Sequence, residues 1–85
     1  MAAAERAPFP HIIHDPRIHG GEAVIRGTRV PVRAVVVAWR AEPDIATLLA
    51  AYPRLTESDV VEALAYYDAH RREVDERIQA QLAGA

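Results

Sequence analysis

Three groups of side chains have types and spacings that invite chemistry. His11, His14 and His19 fall close together and read first as a metal site. A zinc ion wants four nitrogen or sulfur ligands. The sequence has no cysteine and no second histidine cluster to complete that set. Side chains alternate along an extended segment, so His11 and His14 would point to opposite faces. They read as surface histidines, and neither a metal nor another cofactor is expected. Asp59 and Glu62 share a helix face and form a second group, a carboxylate pair. However, Asp59 stands three residues after Thr56, where a helix start needs it as a cap. No Ser/His/Asp order and no activated nucleophile accompanies the pair, so the chain is expected not to be an enzyme.

The third group is the stretch GGEAVIRGTRVPV, residues 20 to 32. Arg26 and Arg29 flank Gly27 between two β-branched segments. A phosphate cradle, a nucleic-acid finger and a plain structural turn compete for it. The glycine spacing matches neither a P-loop nor a dinucleotide fingerprint, which disfavours the cradle. Gly27 is free to take a positive φ and so suits a bend. The stretch is expected to be a β-turn element that packs on a helical core and leads into a helix. Arg26 and Arg29 then face an acidic partner or phosphate.

The elements that must position these groups follow from periodicity and punctuation. Residues 1–10 read as a loose arm with Pro8 and Pro10. His11–His14 reads as a short strand ended by Asp15-Pro16. Ala23–Val32 reads as a hairpin or two short extended pieces bent at Arg26–Arg29. Val32, Val35, Val36 and Trp39 lie at i, i+3, i+4 and i+7, which predicts a helix over Val32–Ala41 stopped by Pro43. Asp44 is an N-cap for a second helix carrying Ile45, Leu48, Leu49 and Tyr52, ended by Pro53. Thr56 and Asp59 form a capping box for a third, with Leu55 and Val60 as its hydrophobic staple. Val60, Val61, Leu64, Ala65 and Tyr67 give that helix a broad apolar face. No breaker follows until Gly84, so the third helix is predicted to run on to about Leu82. Its outer half would carry only a narrow stripe of Val74, Ile78 and Leu82. Together with Tyr67 that stripe is the expected docking surface for a partner.

Bulk properties limit the functions open to such a chain. Eighty-five residues make one domain at most, and a small core gains from oligomerisation. The absence of cysteine fits a reducing compartment. No window resembles a signal peptide, and the longest apolar run, Ala34–Trp39, is far too short to span a membrane. A cytoplasmic protein is expected. The overall charge of −2 hides an asymmetry: residues 1–55 carry seven arginines against five acids, and residues 56–85 carry three against seven. Helices 2 and 3 have helix-turn-helix proportions. The first turns of helix 3 carry Glu57, Asp59 and Glu62, the wrong sign for phosphate. Contact with DNA would fall to Arg26, Arg29, Arg33 and Arg54.

The spans DPRIHGGEAVIRGTRVPV and DIATLLAAYPRLTESDVVEALAYY together resemble the DUF433 family over about Ile12–Tyr67. The motif is carried by Gly21, Val24, Ile25, Arg26, Gly27, Thr28, Arg29 and Pro31. That family resembles VapB-type antitoxins, whose genes often sit beside a PIN-like nuclease toxin. The resemblance implies a mainly α fold: a short N-terminal β element, a tri-helical homeodomain-like helix-turn-helix and an extended C-terminal helix. The chain is accordingly divided into an arm (1–10), a helix-turn-helix domain (11–67) and a C-terminal helical extension (68–85). The implied function is an antitoxin that binds and neutralises the nuclease and represses its own operon as a homodimer. The alternatives are a DNA-binding regulator without a toxin, and a non-enzymatic adaptor.

Overall fold

The chain is described by a computed structural model over residues 8–84. The N-terminal arm therefore lies mostly outside the described residues. The described chain is mainly α-helical, with one two-stranded antiparallel sheet before four helices. Strand β1 (Ile12–His14) pairs with β2 (Ala23–Ile25) in the register Ile12↔Ile25, Ile13↔Val24 and His14↔Ala23. The partner of β2 is thus the preceding strand. The expected bend within Ala23–Val32 is present as well, closed by a bridge between Val24 and Pro31 and by Ile25 N–H donating to the Val30 carbonyl at 2.9 Å.

That bend is built from its own side chains. Thr28 N–H and Thr28 Oγ1 both donate to the Ile25 carbonyl, at 3.1 and 2.8 Å. Val30 N–H then donates to Thr28 Oγ1 at 3.0 Å. Gly27 takes φ 79°, a left-handed conformation that a side chain would strain. The threonine after that glycine therefore fastens the turn through its hydroxyl.

Helix α1 (Val32–Ala41) buries Val32, Val35 and Val36, three of the four positions that its spacing picks out. Trp39, the fourth, is partly buried against the same core. Helix α2 (Ile45–Ala51) starts on Asp44, whose carboxylate accepts from Thr47 N–H at 2.8 Å and from Thr47 Oγ1 at 2.7 Å. These bonds from Thr47 hold the Asp44 carboxyl below the usual carboxylate range. Helix α3 (Glu57–Ala69) opens with the capping box in both directions: Asp59 N–H to Thr56 Oγ1 at 3.1 Å, and Thr56 N–H to Asp59 Oδ2 at 3.0 Å. Caps of this kind contribute about 1 kcal/mol each. The staple residues Leu55 and Val60 are both buried, which fixes how the chain enters the helix.

Two expectations are corrected here. The third helix does not run to Leu82. It stops at Ala69, the chain turns at His70 (φ −132°, ψ 46°), and a fourth helix, α4 (Arg71–Gly84), folds back to pack against α1. The physical reason is burial: Val74 and Ile78 are 3% and 5% exposed and join Val32, Val35, Val36 and Val60 in one core. The inner face of α3 is also rotated from the one predicted. Val60, Ala63 and Tyr66 are buried, whereas Val61 is 54% exposed and Ala65 is exposed.

Candidate functional site

The residues expected to meet nucleic acid separate into two groups. Arg26 and Arg29 are exposed on either side of Gly27, and Arg54 is exposed in the link between α2 and α3. Arg33 is committed inside the fold. Its Nε lies 2.7 Å from Oε2 of Glu22, a carboxylate only 6% exposed, and its Nη1 donates to Gln81 on α4. The N–H of Arg33 is not aimed at that oxygen, so the pair is held by charge rather than by an aligned hydrogen bond. Arg33 therefore ties the segment before β2 to α1 and α4.

The expected docking residues are also partly spent. Val74 and Ile78 face inward, which corrects their reading as an exposed stripe. Tyr67 sits between two guanidinium groups, with Arg40 and Arg71 at 5.5 and 5.3 Å from its ring centroid. Its hydroxyl accepts from Arg40 Nη2 at 2.6 Å and donates to Asp75 Oδ1 at 2.9 Å. Tyr67 thus joins α1, α3 and α4. Of the four, only Leu82 remains broadly open, at 62% exposure.

What α3 does expose is a continuous stripe of Glu57, Ser58, Val61, Ala65 and Asp68. From Ser58 on, these positions recur every three or four residues and so lie along one side of the helix. A shallow groove of about 500 Å³ runs beside them, closed on its other side by Pro8 and Phe9 and rimmed by Glu62. No cation lines it. The neighbouring acids are partly engaged: His11 Nδ1 lies 2.9 Å from Asp59 Oδ1, and the His11 backbone N–H donates to Glu62. The turn that leads into β1 therefore lies over the first turns of α3, where a recognition helix would have to be bare.

A polar cluster that spacing did not reveal lies at the α3–α4 corner. Tyr66 Oη donates to Glu73, with the two carboxylate oxygens at 3.0 and 2.8 Å, and lies 3.3 Å from His14 Nε2. Burial first, and then the Glu73 carboxylate, push the Tyr66 hydroxyl above its usual pKa, so it stays a proton donor. The His70 ring stacks on Tyr66 at 4.3 Å, and Phe9 meets Tyr66 edge-on at 5.3 Å. The cluster joins β1 to both ends of the corner. His14 and Tyr66 are 52 residues apart, so no local motif could have announced it. Among the described residues, no group of three or more His, Cys, Asp or Glu is placed to hold a metal ion. No described helix is long and apolar enough to cross a membrane.

Comparison with known proteins places this arrangement. Residues 12–67 match the family model described as a protein of unknown function, DUF433. A crystal structure of a DUF433 member protein from Anabaena variabilis is 34% identical. The match covers 91% of this chain and 75% of that one, with a TM-score of 0.76. No curated protein matches. With residues 12–67 matched to the family model and a family member 34% identical over 91% of this chain, the chain belongs to the DUF433 family.

Proposed function

We propose that this protein is the antitoxin of a type II toxin–antitoxin pair, a cytoplasmic, non-enzymatic module that binds and neutralises a PIN-like nuclease. The observation that carries this reading is the outer face of α3, which exposes Glu57, Val61, Ala65 and Asp68 beside a groove that no cation among the described residues lines. In helix-turn-helix proteins the second helix enters the major groove, and phosphate attraction asks for cations there. An apolar stripe with acidic ends suits instead a protein surface that is basic because it handles RNA. The family resemblance supplies the nuclease as that partner.

The test is co-expression with the product of the adjacent gene, followed by size-exclusion chromatography with light scattering. A stable complex is expected, with its stoichiometry read from the mass. Val61→Arg with Ala65→Arg places two cations on the exposed stripe without touching the core, and is expected to weaken binding by at least about thirtyfold. No complex with the native chain would sink the reading. A complex indifferent to the double variant would move docking to another face.

A second reading, a DNA-binding repressor, is favoured by the exposure of Arg26, Arg29 and Arg54. It predicts operator binding that falls steeply with salt and is lost in the Arg26→Ala, Arg29→Ala double variant. Unchanged binding in that variant would leave the turn a structural element.

A further inference from the structure

The corner between α3 and α4 has no cause in the local sequence. Asp68-Ala69-His70-Arg71-Arg72 contains neither glycine nor proline, and its periodicity suits an uninterrupted helix. The turn also leaves backbone groups unused. The amides of Arg71, Arg72 and Glu73 make no backbone hydrogen bond, whereas a straight helix would give them the carbonyls of Tyr67, Asp68 and Ala69. The corner is held by the stacking of His70 on Tyr66 and by what α4 meets after it has turned: the core around Val74 and Ile78, the Tyr66–Glu73 and Tyr67–Asp75 hydrogen bonds, and the Arg40–Asp75 and Arg33–Gln81 contacts with α1.

We propose that α4 is an exchangeable arm and that its second acceptor is α1 of another copy of this chain. When His70 becomes helical, α3 and α4 join into one helix, and α4 extends about 21 Å beyond the domain. Val74 and Ile78 are then uncovered, and so is the seat they leave on α1. A second copy opened in the same way offers the matching seat and arm. The two arms exchange about a twofold axis, and every α1–α4 contact re-forms between chains. Each chain regains the three backbone bonds that the corner forgoes. The occupant is a second copy because the seat is already shaped for Val74, Ile78, Asp75 and Gln81 of this chain.

The hinge residue provides the test. His70→Ala and His70→Gly both remove the imidazole stacked on Tyr66, and they differ only in how well they propagate a helix. Each purified variant and the native chain would be incubated at high concentration, diluted, and measured by size-exclusion chromatography with light scattering. Circular dichroism would confirm that each is folded. A dimer is expected in the native chain and in His70→Ala, with an association constant roughly tenfold or more higher in His70→Ala than in His70→Gly, since each dimer contains two hinges. Ala69→Gly, which keeps every ring of the corner, is expected to lower the native dimer in the same sense. Equal dimer content in the alanine and glycine variants would overturn the exchange, because a dimer formed by surfaces does not depend on the hinge. The absence of any dimer in His70→Ala would overturn it as well.

Discussion

Val74→Asp is expected to leave the chain largely unfolded at 25 °C, while Leu82→Asp, eight residues further along the same helix, should change its stability by no more than about 0.5 kcal/mol. Both residues belong to the apolar pattern that the sequence draws along the C-terminal segment, and only burial separates them. Val74 is 3% exposed and Leu82 is 62% exposed. The aspartate at 74 forfeits about 2 kcal/mol of apolar transfer and adds several kcal/mol for a carboxylate with no partner in the core. A domain of this size has roughly 4–13 kcal/mol of stability in all. Ile78→Ala is the graded version: about 2–5 kcal/mol, or a fall in Tm of roughly 10–30 °C in a small domain. Far-UV circular dichroism through a thermal melt checks all three. A Val74→Asp variant melting within a few degrees of the native chain would show that α4 does not help to hold α1 in place. The same substitution is therefore a poor probe of partner docking, since a lost complex would report an unfolded chain.

How much of this was legible in the sequence depends on whether the cause was local. Asp44 and Thr56 announce α2 and α3 because a cap acts within three residues. Val32, Val35 and Val36 announce the inner face of α1 because helical spacing alone places them together. Gly27 marks its turn for the same reason. The corner at His70 was not legible, because nothing within Ala69-His70-Arg71 ends a helix. The fold ends it by offering α4 more buried surface on α1 than it would have in water. The site shows the same division. Arg26, Arg29 and Arg54 are exposed, as side chains of their type usually are. Arg33 looks identical in sequence, but it lies in the first turn of α1, where the buried Glu22 claims it. Tyr66, His14 and Glu73 meet only because β1 and α4 both pack at the end of α3. Such meetings are properties of the tertiary fold, and composition and period carry no trace of them.

Arg33→Ala should cost about 3 kcal/mol, more than Glu22→Gln, although the two residues form one pair. The asymmetry follows from which side chain is left behind. Glu22 is 6% exposed, and the side chain of Arg33 is 21% exposed. Removing the arginine strands a carboxylate in the interior, and breaking a buried pair in this way costs about 3–5 kcal/mol. The low end applies because Arg77 lines the same small cavity and can lend some of its charge. Glu22→Gln leaves instead an arginine that can turn toward water and keep its bond to Gln81, so about 1–2 kcal/mol is expected. Replacing both at once, Glu22→Leu with Arg33→Met, should recover much of the loss, since two apolar groups of similar shape need no counter-charge. Urea unfolding of the native chain, Glu22→Leu, Arg33→Met and the double variant closes a double-mutant cycle. A double variant as unstable as the sum of the two single losses would show that the pair contributes no coupling. Stability would then rest on the packing of the arginine's methylenes between β2 and α4, and α1 would owe its position to Val32, Val35 and Val36 alone.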